Sequence, residues 1–464
     1  WTTETMALVL HILACIFGTG AWVAINGLWV ELPLIVNDLP EGWYLPSYLT
    51  IIIQLANIGP LVVTLMHKFK PGWLNEIATI YTIIVLGIVA SFLLAFFWRE
   101  TTWVGGELHS TGFLVLTFFL SLVDCTSSVT FLPFMMKLET QYLTSYFVGE
   151  GLSGFIPGLL SLIQGVGIVT CVNVTQSDNG TQTISRSSYG ADQLETQYLP
   201  ANYSVQVFLF LLCAMMAFCL VAFYSLTRIS SKQLLLQSST TLFHSSSTIN
   251  STNPPGTPPG TLELTESKQG DTSAPTMDNP LRTECNTQEI SYGQYALIYF
   301  LTAWVNALTN GVLPSVQTYS CMPYGNLAYH LSAAVGSMAN PLACLIAMFL
   351  PCQSLLALVL LSVIGTGFGT YNMVSAVQSP CPVLQGSDWG VALIVMSWLL
   401  FIGSLSYVKV MIGLILRSQS HSALLWCGAV VQLGSMIGAL VMFPLVNIYG
   451  FFQSADLCNS QCIG

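Results

Sequence analysis

The chain has 464 residues, of which 53% are hydrophobic and 7% charged, and a formal net charge of −10. Soluble domains carry roughly a quarter charged residues, so a soluble globular enzyme is excluded, and the acidic balance speaks against a nucleic-acid partner. No CxxC pair or His/Cys cluster suggests a metal, and no nucleophile–base pair or phosphate loop suggests catalysis.

A membrane span needs about 20 apolar residues. Eleven runs meet this, near 6–30, 47–66, 76–98, 112–136, 142–171, 206–227, 294–318, 328–351, 354–377, 389–416 and 423–448. The first run is long and lacks a basic flank, so it reads as a span and not as a cleavable leader. Lys68, Lys70, Lys137, Arg228, Lys232 and Arg417 follow even-numbered spans, whereas the odd-numbered loops hold only Arg99 and Arg186. That bias predicts a cytosolic N-terminus and an extracellular C-terminus.

Span one carries the most informative stretch. Trp22, Asn26, Trp29 and Pro33 recur at spacings of four, three and four, which places them on one helical stripe. A lipid-facing stripe would be Leu, Ile and Val. Two aromatic faces, an amide and a helix-loosening proline suit the lining of a polar cavity for a flat organic solute, or else helix packing. The loop 31–46, with Glu31, Asp38 and Glu41, reads as a structured turn, and Trp43 and Tyr44 as interface aromatics or an outer gate.

In span two, Gln54 and Asn57 share a face ahead of Gly59-Pro60, a kink signal. Span four holds Asp124 near mid-membrane, and span five holds Glu150 among glycines. An intramembrane carboxylate is costly unless paired, protonated or wetted, so both are functional candidates. The loop after span five carries sequons at Asn173, Asn179 and Asn202, on the predicted outer side. Residues 228–293, rich in Ser, Thr and Pro, are expected as a disordered cytosolic linker. It separates a six-span bundle (1–227) from a five-span bundle with an extracellular tail (294–464).

The second half begins as the first did. Trp304-Val305-Asn306 and Asn310 through Pro314 echo Trp22 through Pro33, and Ser337 through Pro341 echo Gln54 through Pro60. The pattern predicts parallel repeats in a six-plus-five arrangement with a binding site between them. Asn306, Asn310, Pro314 and Gln317 form a second polar stripe in span seven, continued by Tyr319. Lys409 in span ten either snorkels to the cytosol or pairs with Asp124. His330 is a lone histidine, read as packing or pH sensing. Cys125, Cys213, Cys219, Cys344 and Cys427 read as packing residues. Cys381, in a predicted outer loop, is expected to bridge to Cys458 or Cys462.

Several long strings resemble the vertebrate riboflavin transporters, solute carrier family 52. They are NGLWVELPL at 26–34, PEGWYLPSYLT at 40–50, VDCTSSVTFLPFM at 123–135, FVGEGLSG at 147–154, NALTNGVLPSVQTYSC at 306–321 and LSYVKVM at 405–411. The resemblance runs from Met6 to Cys462 and fails in the loops 176–195 and 232–290. It implies an all-α polytopic membrane protein of eleven helices, major-facilitator- or equilibrative-nucleoside-transporter-like. It also implies sodium-independent uptake of riboflavin across the plasma membrane by alternating access. Beside the bilayer, the expected partner is riboflavin itself, as transported substrate; no cofactor and no obligate protein partner are expected. On this reading Trp22, Asn26, Gln54, Asn57, Asn306, Asn310, Gln317 and Tyr407 contact the flavin ring and its edge. Asp124, Thr126 and Lys409 contact the ribityl chain. Glu31, Glu41, Asp124 and Glu150 are candidates for carrying a proton or for gating. A nucleoside or other heteroaromatic carrier, or a cell-surface receptor, are the alternatives.

Overall fold

A computed structural model of the protein describes residues 3–70, 72–136, 138, 140–166, 169–173, 194–198, 201–249, 291–352, 354–419 and 421–454. Among the described residues, ten helices are long and apolar enough to cross a membrane, or eleven when one bent pair counts as a single span. That pair is span one: α1 (Thr3–Thr19) and α2 (Val23–Ile35) meet at 53°. Span two is α3 (Leu45–Ala56) followed by α4 (Ile58–Phe69). The helical ladder loosens at Asn57 because Pro60 has no N–H to offer the carbonyl of Ala56. Spans three to six are α5 (Glu76–Phe97), α6 (Thr111–Met135), α7 (Thr140–Gln164) and the start of α8 (Val205–Ile249).

Span seven is also irregular. It comprises α9 (Tyr292–Ala307), a π-helical turn at Leu308–Val312, and the short α10 (Leu313–Ser315) and α11 (Gln317–Cys321). Pro314 cannot donate to the carbonyl of Asn310, so the chain widens there. Spans eight to eleven are α12 (Asn326–Phe349), α13 (Leu355–Val377), α14 (Asp388–Gln419) and α15 (His421–Asn447). Two small hairpins lie in loops, β1–β2 (Thr102–Val104 with Glu107–His109) and β3–β4 (Val169–Asn173 with Leu194–Tyr198).

The helices pack in matched pairs. Span one lies on span five as span seven lies on span eleven, and span three on four as nine on ten. The two halves meet through span five on eight and span two on eleven. Small residues make the first two contacts close. A side chain at Gly149 would strike the Cys15 carbonyl, and one at Gly438 the Ala307 carbonyl.

The membrane spans sit in one compact unit, Trp1–Leu226 with Ser291–Gly464, and Thr227–Ile290 forms a second. Helix α8 continues to Ile249, so the first part of the expected linker is helical; residues 250–290 lie outside the described residues. Cys381 is disulfide-bonded, and its candidate partners Cys458 and Cys462 lie outside the described residues. The five cysteines expected to pack within spans are free thiols.

Candidate functional site

The break in span one is the centre of the site. From Ala21 to Pro33 every residue is buried except Trp22, Asn26 and Trp29, which are half-buried. The predicted stripe is therefore the one open face of this helix, with Pro33 buried at its end. Trp22 does not lie within the helix as the spacing implied; it precedes α2 with φ −135°. Asn26 donates from Nδ2 to Ser153 Oγ on α7 at 3.3 Å. The same amide lies beside Gly154, whose backbone also meets Ser337 of α12. The open face thus borders the line where spans five and eight join the halves.

From the other half, Asn310 is exposed on the π turn. Its Nδ2 donates to Asn306 Oδ1 at 3.2 Å and to Ser435 Oγ of α15 at 3.1 Å. Its Oδ1 accepts from Lys409 Nζ at 3.3 Å. An exposed amide with an ammonium beside it would be costly against lipid, so this cluster faces a wetted space within the bundle. Across the halves, Asn57 Nδ2 bridges Gln54 Oε1 at 3.2 Å and Gln432 Oε1 of α15 at 2.9 Å. Gln317 is buried in α11.

Several expected contacts go elsewhere. Asp124 is 0% exposed and does not meet Lys409, whose amine is held by Asn310. Asp124 Oδ2 instead accepts from the Ile25 backbone N–H at 2.9 Å. Thr126 donates to the Leu122 carbonyl and packs against Gly59, between helices of the same half. Tyr407 donates to the Leu350 carbonyl at 2.5 Å, at the C-terminal end of α12. Glu41 is a cap: it accepts from Ser110 N at 2.8 Å and Ser110 Oγ at 2.5 Å, with His109 at 3.3 Å. Glu31 lies in helix α2, not in the loop, and is 0% exposed. Its Oε1 accepts from Gln164 Nε2 at 2.8 Å and its Oε2 has no partner. Burial, then the nearby Glu31 carboxylate, pushes the phenol of Tyr203, in the loop ahead of α8, up to about 12. Glu150 is half-buried on α7, within electrostatic reach of Cys344 on α12, which Lys409 also reaches.

Ser153, Gln432 and Ser435 were not anticipated. Gln432 and Ser435, three apart within an apolar run, carry the same signal that singled out Gln54 and Asn57. His330 is buried in α12 with Nδ1 at 3.5 Å from Ser161 Oγ and Nε2 without a partner.

At one end of the bundle the halves are closed over this site. Trp43 and Tyr44 pack edge-on to Tyr319 with ring centroids 5.6 and 6.2 Å away, and Phe452 completes the cluster at 5.5 Å. Thr50 Oγ1 meets Ser315 Oγ at 2.9 Å, Asn447 Nδ2 donates to Ser47 Oγ at 2.7 Å, and Asn37 Nδ2 to Asn326 Oδ1 at 3.3 Å. Trp43 and Tyr44, read from the sequence as interface aromatics or an outer gate, here touch a residue of the other half. Among the described residues, the hydrogen bonds joining the halves lie at this end or at mid-span.

Solved structures share the fold. A D-xylose-proton symporter superposes with a TM-score of 0.52 at 11% identity, covering 97% of this chain and 92% of its own. A nucleoside transporter superposes with a TM-score of 0.50 at 10% identity, covering 95% and 92%. In sequence, the chain is 54% identical to riboflavin transporter 2 of Salmo salar, over 98% of this chain and 100% of that protein. It is 53% identical to the human solute carrier family 52 riboflavin transporter, member 3, with the same coverage. The family described as solute carrier family 52, riboflavin transporter, matches residues 6–454, and with these relatives and the bundle of apolar helices this places the chain in that family of membrane transporters, not among enzymes.

Proposed function

We propose that the chain is a plasma-membrane carrier that takes up riboflavin without sodium, by alternating access, at a site between its first six and last five spans. The observation that supports this reading is a partly open polar surface in each half of an apolar bundle: Trp22, Asn26 and Trp29 from span one, and Asn310 with Lys409 from spans seven and ten, Asn310 held by the buried Asn306. Riboflavin offers a flat tricyclic ring, an imide-like edge and a neutral polyol. Indole faces suit the ring, and amides supply both donor and acceptor to the edge and hydroxyls. With the N-terminus cytosolic, the closed end is extracellular and the bundle is inward-facing. The disulfide at Cys381 and the exposed sequon Asn202 lie toward that same end, which supports the orientation. Asn179 lies outside the described residues.

Uptake of labelled riboflavin by cells displaying the chain is the direct test, and its absence from a surface-expressed parent would redirect the assignment to a nucleoside or related heteroaromatic carrier. The chemistry of the site also predicts selectivity. Lys409 is already engaged by Asn310, and no cluster of basic side chains stands beside it to meet a phosphate among the described residues. Flavin mononucleotide should therefore compete at least ~10-fold more weakly than riboflavin, since ~1.4 kcal/mol of unmatched phosphate charge suffices for that. Equal competition would contradict the neutral-solute reading.

Of the carboxylates expected to carry a proton, Asp124 and Glu41 each accept from a backbone N–H, with Asp124 Oδ1 left unpartnered, whereas Glu31 accepts from a side chain, the Gln164 amide, and both Glu31 Oε2 and Gln164 Oε1 are unpartnered. A proton on Glu31 Oε2 would let acid and amide pair through both atoms. We assign the coupling role to Glu31. In vesicles, Glu31→Gln should abolish uptake driven by an imposed proton gradient while riboflavin exchange at equal pH persists. A variant that still responds to the gradient would remove Glu31 from the coupling.

A further inference from the structure

Breaking a helix inside a membrane frees backbone groups that have no water to turn to. In span one the residue ahead of α2 is Trp22, which has no side-chain acceptor to cap the new N-terminus. The cap comes from α6. Asp124 Oδ2 accepts the Ile25 N–H at 2.9 Å, the third N–H of α2 and one of those a break leaves open. One turn further on α6, Ser127 Oγ donates to the Ala21 carbonyl at 2.8 Å, on the other side of the break. Cys219 of α8 backs the end of α1, its Sγ 3.6 Å from the Phe17 carbonyl and pressed against Gly20. Trp22 lies between the two clamped positions, and Asn26 follows the second directly.

We propose that Asp124 and Ser127 are positioning residues: they fix the break in span one and thereby set the angle at which Trp22 and Asn26 face the substrate. This rests on the riboflavin-carrier reading. Neither residue touches substrate, since both are 0% exposed within α6. What Asp124 supplies is an acceptor of the right length; an amide in its place offers one too.

The test is a double-mutant cycle on riboflavin uptake at matched surface levels. Asp124→Ala should raise KM ~10-fold or more with a smaller change in Vmax, Ser127→Ala ~3-fold, and Asp124→Asn should stay within ~3-fold of the parent. Adding Asp124→Ala to Asn26→Ala should raise KM by clearly less than the product of the two single effects, because residues acting through one another are not additive and only the share acting through Trp22 remains. Independent multiplication of the two effects, or an Asp124→Asn as impaired as Asp124→Ala, overturns the proposal. If Asp124→Ala does not reach the surface, Ser127→Ala with Asn26→Ala gives the same cycle. A parent without uptake would instead sink the carrier reading, which keeps the two failures apart.

Discussion

Replacing Asn26 or Trp22 by alanine should reduce riboflavin uptake to a tenth of the parent or less, with both variants at the cell surface. Asn26 is the only amide on the open face of α2, and it already holds its orientation through Ser153. Losing it leaves a polar edge of the ring without a partner in a dehydrated site, a deficit of about 1–3 kcal/mol. Trp22 offers the larger effect if the ring stacks on it, because stacking of a heteroaromatic ring on a protein aromatic is worth about 1–3 kcal/mol. The contrast set matters as much as the losses. Thr126→Ser and Tyr407→Phe should leave KM within ~3-fold, since their hydroxyls serve the backbone of Leu122 and Leu350 and not the cavity. Kinetic constants for the four variants decide it: retained uptake in both span-one variants moves the site elsewhere, and a large KM change in Tyr407→Phe would return that residue to it.

The spans were legible because twenty apolar residues in a row have few alternatives to a membrane helix. The stripe was legible too, since spacings of four, three and four need only helical geometry. What the sequence did not disclose was tertiary. Gly18-Thr19-Gly20-Ala21-Trp22 reads as a permissible helical stretch, and the break there is held by residues about a hundred positions away. Asp124 was marked by its depth, but its partner is a backbone N–H, which no pattern of side chains announces. The pairing with Lys409 was plausible by depth and wrong in azimuth: α6 turns Asp124 toward α2, within its own half. The hydroxyls of Thr126 and Tyr407 likewise go to backbone carbonyls. In a span flanked by protein on several sides, polar residues face helix neighbours as readily as a cavity, and hydropathy does not distinguish them. Glu41 shows a further limit. A carboxylate in a loop reads as available, whereas here it serves as the cap of α6.

A disulfide engineered across the closed end should stop transport reversibly. Thr50 and Ser315, one from each half, bring their hydroxyls to 2.9 Å and are both 0% exposed. Sulfurs placed at those γ positions need approach to only about 2.0 Å, so Thr50→Cys with Ser315→Cys should close under a mild oxidant. The closed end is held by a few hydrogen bonds and one aromatic cluster, each worth about 1 kcal/mol net. That is weak enough for substrate binding to shift the balance between open and closed ends, and a covalent bond is not. Oxidation should therefore bring uptake in the double variant to background, and reduction should restore it, while each single variant is unaffected. The outcome separates two ideas of the molecule. If uptake continues at the parental rate after the bridge has been shown to form, the closed end never needs to part, and substrate does not enter between Tyr319 and the Trp43–Tyr44 turn. If it stops, the aromatic cluster is the outer gate, and the inward-facing bundle is one of two states between which the carrier works.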